Sequence, residues 1–356
     1  MFNRSAMKVL IDILTPKQCR FFSVLAKKLE RRGFQVFKTA RMFREVVELL
    51  DILGEEAYIV GRYGGATLEG KLEASLERML ELKKVFHKLK PDLVISFSSP
   101  EASRIAFGLG IPHIAVNDSP HSEAVAKLTI PLSCFLFTPW VIPKAAWTRY
   151  GIASSKVIKY RALDPAAWLK EFKPNLRLVE EVGLDTSRPI AVFRLEESHA
   201  SYILGMGGLV EEVARKALER FDIQPVIMPR YDEQINRVEK AFEGKAFILR
   251  KTIDAASLLY FASILVGGGG TMNIEAALLG VPVISCYPGE TTYVERYLVD
   301  KGFIYRATES EEALAYMERL LEPNEKAKFE ERARSLLKSM VNPAEFIAEK
   351  LEILFS

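Results

Sequence analysis

Cysteine is nearly missing from this sequence. Cys19, Cys134 and Cys286 are scattered through 356 positions. They form neither a disulfide framework nor a CxxC metal pair, so each is expected to be a small apolar core residue. Histidine is equally scarce, at four. There is no HxxxH, no DxD and no Cys/His cluster, so neither a metal site nor a cofactor is expected. A charge excess is missing too. Lys and Arg number 49 against 46 Asp and Glu, a net +3, which is too weak a field to argue for nucleic acid. It suits an anionic small ligand or a membrane surface without choosing between them. Long apolar runs are also lacking. The proline-bearing uncharged run Leu128–Pro143 is shorter than the roughly 20 residues of a spanning helix. Pro131, Pro139 and Pro143 interrupt it as well. No N-terminal stretch reads as a signal peptide. We therefore expect a cytoplasmic protein without a transmembrane segment. The apolar, Trp-containing stretch Leu132–Trp147 is read as core packing, with peripheral docking of a lipid-linked acceptor as the alternative.

What the chain does have is alternation. Val9–Leu14, Gln35–Thr39, Ala57–Gly61, Asp92–Ser96 and His113–Val116 read as strands, with amphipathic helices between them. The pattern restarts at Pro189–Arg194 and continues through Gln224–Met228, Phe247–Leu249, Ser263–Val266 and Val281–Cys286. Strand–helix alternation of this kind means parallel strands with helices on both faces. Two series predict an α/β protein of two Rossmann-like, doubly wound domains. We place the first at 1–170, the second at 171–342, and a closing helix at 343–356 that belongs with the first.

The most informative segment follows Ser263–Val266. Four glycines, Gly267, Gly268, Gly269 and Gly270, lead into Thr271 and a helix carrying Glu275 one turn in. Glycines let a backbone approach a ligand closely. A helix N-terminus offers unpaired N–H groups and partial positive charge to a phosphate. Thr271 can cap the helix or donate its hydroxyl, and Glu275 suits a ribose diol. The bland reading is tight helix–sheet packing, with Glu275 a dipole partner. The loop's place at the C-terminal end of a parallel strand favours a ligand. The spacing is not a Walker loop, since no Lys follows the glycines, and no GxGxxG opens the first unit. An ATPase of that class and a dehydrogenase are both disfavoured.

Other candidates also follow strands. Arg194 and Arg230 are cations suited to a diphosphate. Glu197 and His199 are acid/base candidates. Glu290 and Thr291 follow the last core strand. In the first domain, Asp118 and His121 lie close in sequence, and a carboxylate that orients a histidine makes a general base. For each, a solvated charge or a helix cap is the competing reading.

Gly269, Thr271, Glu275, Ala276, Gly280 and Pro282 resemble the sugar-nucleotide motif of glycosyltransferase-B-fold proteins. These include UDP-N-acetylglucosamine 2-epimerases and the peptidoglycan and lipid A glucosaminyltransferases. Leu72–Ser96 and Gly108–His113 are similar to the epimerase layout. With Gly64-Gly65, Ser98–Glu101, Asn117–Ser119 and His121, the whole chain resembles an uncharacterised, largely archaeal family of this fold. The resemblance implies a cleft between the two domains and a final helix that crosses back to the first. It implies a nucleotide-sugar ligand, UDP-linked, held by Gly267–Thr271, Glu275, Arg194 and Arg230. Where the epimerases have acidic residues after two first-domain strands, this chain has Phe97-Ser98-Ser99 and Asn117-Asp118. That departure weakens the isomerase reading. The leading expectation is a metal-independent glycosyltransferase, with Asp118 or His121 as base and an acceptor that is unknown. A 2-epimerase-like isomerase and a non-catalytic nucleotide-sugar-binding protein are the alternatives.

Overall fold

The computed structural model describes residues 6–196 and 208–355. It divides into two compact units. Unit 1 runs to Trp168 and resumes at Met340, and unit 2 is Leu169–Ser339. Each holds one sheet whose described pairings are all parallel.

The strands of unit 1 are β1 (Lys8–Ile13), β2 (Gln35–Met42), β3 (Tyr58–Arg62), β4 (Leu93–Ser96), β5 (His113–Val116), β6 (Phe135–Pro139) and β7 (Val157–Tyr160). Their order is β3-β2-β1-β4-β5-β6-β7. The direction of strand addition reverses between β1 and β4, which is the crevice where open α/β sheets place ligands. Apolar runs such as Val9–Ile11 and Leu93–Ile95 are fully buried, as strands covered on both faces must be. The helix Leu68–Leu89 packs Leu82 and Phe86 against Leu10, Val60 and Val94. Thr67 accepts from Gly70 N–H to start that helix, and Lys90 in the left-handed region ends it before Pro91. The final helix, Pro343–Phe355, lies on Pro16–Glu30 within the same unit. It is tied there by Glu345 to Arg32 at 2.5 Å and to Lys28 at 3.2 Å.

The strands of unit 2 are β8 (Ile190–Arg194), β9 (Gln224–Met228), β10 (Phe247–Ile248), β11 (Ile264–Gly267), β12 (Val283–Ser285) and β13 (Ile304–Arg306). Their order is β10-β9-β8-β11-β12-β13, so here the switch falls between β8 and β11.

The stretch Leu132–Trp147 packs largely into the core, in line with its leading reading. It contains β6, and Phe137, Ile142 and Trp147 are buried, with Trp147 Nε1 donating to Thr138 Oγ1 at 3.1 Å. One boundary is corrected: the strand read as Gln35–Thr39 runs on to Met42, and the next helix begins at Arg44. Among the described residues, no helix is long and apolar enough to cross a membrane, and no group of three His, Cys, Asp or Glu residues could hold a metal.

Candidate functional site

The glycine turn of unit 2 stands at the switch point. Gly267 is in register with Arg194 of β8, and Gly268 N–H donates to Arg194 O at 3.0 Å. Three of the four glycines answer to packing. A Cβ on Gly267 would lie 2.1 Å from Asn273 Oδ1, one on Gly268 2.6 Å from Glu196 Cα, and one on Gly269 2.7 Å from Tyr287 Cδ2. Gly270 differs. It is exposed, and among the described residues only Arg230 Nη2, at 3.8 Å, would come near a Cβ there. Its φ of 91° and ψ of −165° lie in a region that only glycine occupies readily. Gly270 is also the N-cap of the helix Thr271–Leu279, and its own position offers no side chain to cap that end. Thr271 is thus the first helical residue and not the cap. A glycine cap leaves the first-turn N–H groups open to an outside acceptor.

Arg230 borders this opening. Its Nε donates to Leu195 O at 3.1 Å, and its N–H donates to Gln234 Oε1 at 2.7 Å. Arg194 is buried instead, with Nη1 donating to Pro229 O at 2.7 Å across the end of β9. Glu275 is buried too, on the first turns of the glycine-capped helix. Glu290 is exposed and Thr291 half-buried in the loop after β12. Glu197 and His199 lie outside the described residues.

Sequence reasoning missed what holds that loop. Arg306 Nη2 donates to Tyr287 O at 3.0 Å and Gly289 O at 2.9 Å. Its Nη1 meets Glu295 Oε2 at 3.2 Å, while Ser285 Oγ donates to Glu295 Oε1 at 2.5 Å. Tyr287 in turn packs on Gly269. One arginine therefore links β13 to the glycine turn. Finding β13 in the sequence was the only way to suspect it, and Ile304–Arg306 is too short to show a period.

In unit 1, Lys17 Nζ lies 2.6 Å from both Asp118 Oδ2 and Asp164 Oδ2. Ser119 Oγ donates to Asp118 Oδ1 at 2.8 Å, and Tyr160 donates to Asp164 Oδ1 at 2.5 Å. Burial acts to raise the Asp118 carboxyl, but Lys17 outweighs it and leaves it lowered. Burial pushes Asp164 up to about 6. Both oxygens of Asp118 are thus engaged by groups other than His121. His121 is exposed, and its basicity is lowered by its surroundings despite the opposing pull of Asp118.

Two further polar groups sit at the same edge. Ser98 adopts φ of 52° and accepts from Asn117 Nδ2 at 2.8 Å. Ser99 caps the helix Pro100–Gly108 by accepting from Ala102 N–H. His113 lies beneath them, wholly enclosed between Ser96 Oγ at 2.8 Å and Ser133 Oγ at 2.9 Å. Burial pushes its imidazole from 6.5 down to about 4. The unfolded chain takes up this proton first as pH falls, so stability present above pH 6.5 is lost between 6.5 and 4. The expected loss from this residue is about 3 kcal/mol. In urea titrations, His113→Asn should flatten the wild-type slope in that window, and an unchanged slope would contradict this account.

Comparison with known proteins bears on this geometry. A family model described as "Protein of unknown function (DUF354)" matches residues 7–346. The uncharacterised protein MJ0665 of Methanocaldococcus jannaschii is 32% identical over 317 residues, which is 88% of this chain and 91% of that protein. Among solved structures, UDP-GlcNAc 2-epimerase of Neisseria meningitidis, bound to UDP-GlcNAc, matches with a TM-score of 0.73. It is 18% identical, with 97% of this chain and 99% of that one covered. Spinosyn forosaminyltransferase matches with a TM-score of 0.65 at 16% identity, over 98% and 99%. At such identities the likeness establishes the fold, which is the Rossmann-like pair of glycosyltransferase-B proteins.

Proposed function

Starting from the chain's membership of the DUF354 family, we propose that it is a metal-independent glycosyltransferase that uses a nucleotide-diphosphate sugar, UDP-linked. One observation carries the reading. The turn at the switch point of unit 2 ends in an exposed glycine that offers no side chain to cap a helix N-terminus, with Arg230 at its rim. That arrangement suits a diphosphate, through N–H groups, the helix dipole and a guanidinium. Charge that develops on the departing nucleoside diphosphate would be met by donors already in place. In transfer, the acceptor oxygen bonds to the anomeric carbon as the bond to the diphosphate oxygen breaks. The acceptor's proton passes to a base, for which His121 is the candidate. The structural neighbours whose names include a UDP-sugar epimerase and a sugar transferase support a nucleotide-sugar enzyme in general.

Transfer is favoured over 2-epimerisation by the state of the unit 1 carboxylates. Epimerisation needs an acid and a base to handle a carbon-bound proton. Asp12 is held by the buried Arg78, and Asp118 and Asp164 both engage the half-buried Lys17. Incubation of the protein with UDP-GlcNAc and no acceptor should leave the sugar unchanged when products are separated by chromatography. Accumulation of the 2-epimer would overturn the transferase reading in favour of the isomerase. Arg230→Met should weaken UDP binding about tenfold or more, the usual cost of losing a charge-assisted hydrogen bond.

A further inference from the structure

Among the described residues, unit 1 carries a guanidinium with no carboxylate to pair with it. Arg41 lies near the C-terminal end of β2, where the register with β3 shifts between Ala40 and Met42. Such irregularities re-aim a side chain, and they gather near functional sites. Its Nη2 donates to Leu14 O at 3.1 Å, and its guanidinium rests over the Tyr63 ring at 5.2 Å. Its Nε is buried and meets no acceptor. Among the described residues, no carboxylate lies within ion-pair distance of it.

The charged groups around it are Glu101, Arg78, Tyr63 and Asp12. Both carboxylates are engaged elsewhere. Asp12 takes Arg78 through both oxygens, at 2.6 and 3.1 Å, and Thr39 Oγ1 at 2.7 Å. Glu101 accepts from Ser99 Oγ at 3.2 Å and lies 3.7 Å from Arg78 Nη1. Burial pulls Arg41 below its ordinary value, yet an arginine stays charged across the working range. A half-buried cation without an ion-pair partner destabilises a fold relative to an apolar side chain of similar size. Beside Tyr63, Gly65 has φ of 71° and open space where a Cβ would be.

We propose that Arg41 is an anion subsite of unit 1, binding a phosphate or carboxylate group of a ligand against Tyr63. The inference does not depend on the donor reading of the glycine turn in unit 2. Its ligand is an anionic molecule, either free phosphate or the acidic group of a larger substrate.

Arginine-selective 15N labelling tests it. The Arg41 Nε–H resonance, identified by its loss in Arg41→Lys, should shift saturably with inorganic phosphate, with glucuronate, or with both. Chloride at equal ionic strength should leave it still. A response to phosphate alone assigns a phosphate group, and a response to glucuronate alone assigns a carboxylate. The shift should persist in Gly270→Ala, which disables the glycine turn. Without added anion, Arg41→Met should melt above the wild type. A resonance that ignores both anions, a shift abolished by Gly270→Ala, or an Arg41→Met variant that melts below the wild type would overturn the proposal.

Discussion

Replacing Arg78 with methionine will destabilise unit 1 by about 3–5 kcal/mol, the usual cost of leaving a buried charge without its partner. Arg78 and Asp12 are both essentially inaccessible. The guanidinium clasps Asp12 through two nitrogens, and its Nε donates to Val60 O at 3.0 Å. Its stem passes under Gly61, where a Cβ would lie 2.5 Å from Arg78 Cγ. Removing the cation strands Asp12 in the middle of the sheet. The double variant Arg78→Met, Asp12→Leu should recover most of the loss, since an apolar pair of similar volume avoids the desolvation of both ions. Urea denaturation of the two variants checks this. If the double variant is no more stable than the single one, the pair is not the source of the effect.

Gly270→Ala will weaken UDP binding about ten- to a hundredfold while the protein stays folded. Alanine at φ of 91° and ψ of −165° is strained by about 1–3 kcal/mol, so the turn will relax away from the geometry that opens the helix end. Among the described residues no neighbour is struck, so the strain is local. Gly268→Ala should behave differently. Its Cβ would drive into the backbone of Glu196 at 2.6 Å, and β8 and β11 would have to part. That variant should lose stability before it loses affinity. Denaturation midpoints for the pair separate a ligand-facing glycine from a packing glycine.

Much of this architecture is readable in the sequence because long apolar strands and amphipathic helices carry their own periods. The strands β1, β4, β5, β8 and β11 announce themselves in this way, and so does the turn of four glycines. The strands β6, β7 and β13 do not. Phe135–Pro139 hides in a proline-interrupted run, Val157–Tyr160 includes Lys159, and Ile304–Arg306 is three residues long. The candidate site was legible as a location rather than as a set of contacts. Nothing local tells Gly267, Gly268 and Gly269 from Gly270, because the atoms that exclude a side chain at the first three come from Asn273, Glu196 and Tyr287. Nor does spacing show that Lys17 reaches Asp118 and Asp164, or that Arg78 reaches Asp12 from 66 residues away. Those pairings arise only when parallel strands bring their C-terminal ends to one edge.

The most direct test of the account is calorimetric titration of UDP into the wild-type protein and into Gly270→Ala. The account predicts saturable binding to the wild type, clearly weaker binding to Arg230→Met, and binding about ten- to a hundredfold weaker to Gly270→Ala. Equal affinity in the wild type and Gly270→Ala, or no binding of UDP or UDP-GlcNAc to the wild type at all, would contradict the assignment of the glycine turn as a diphosphate site.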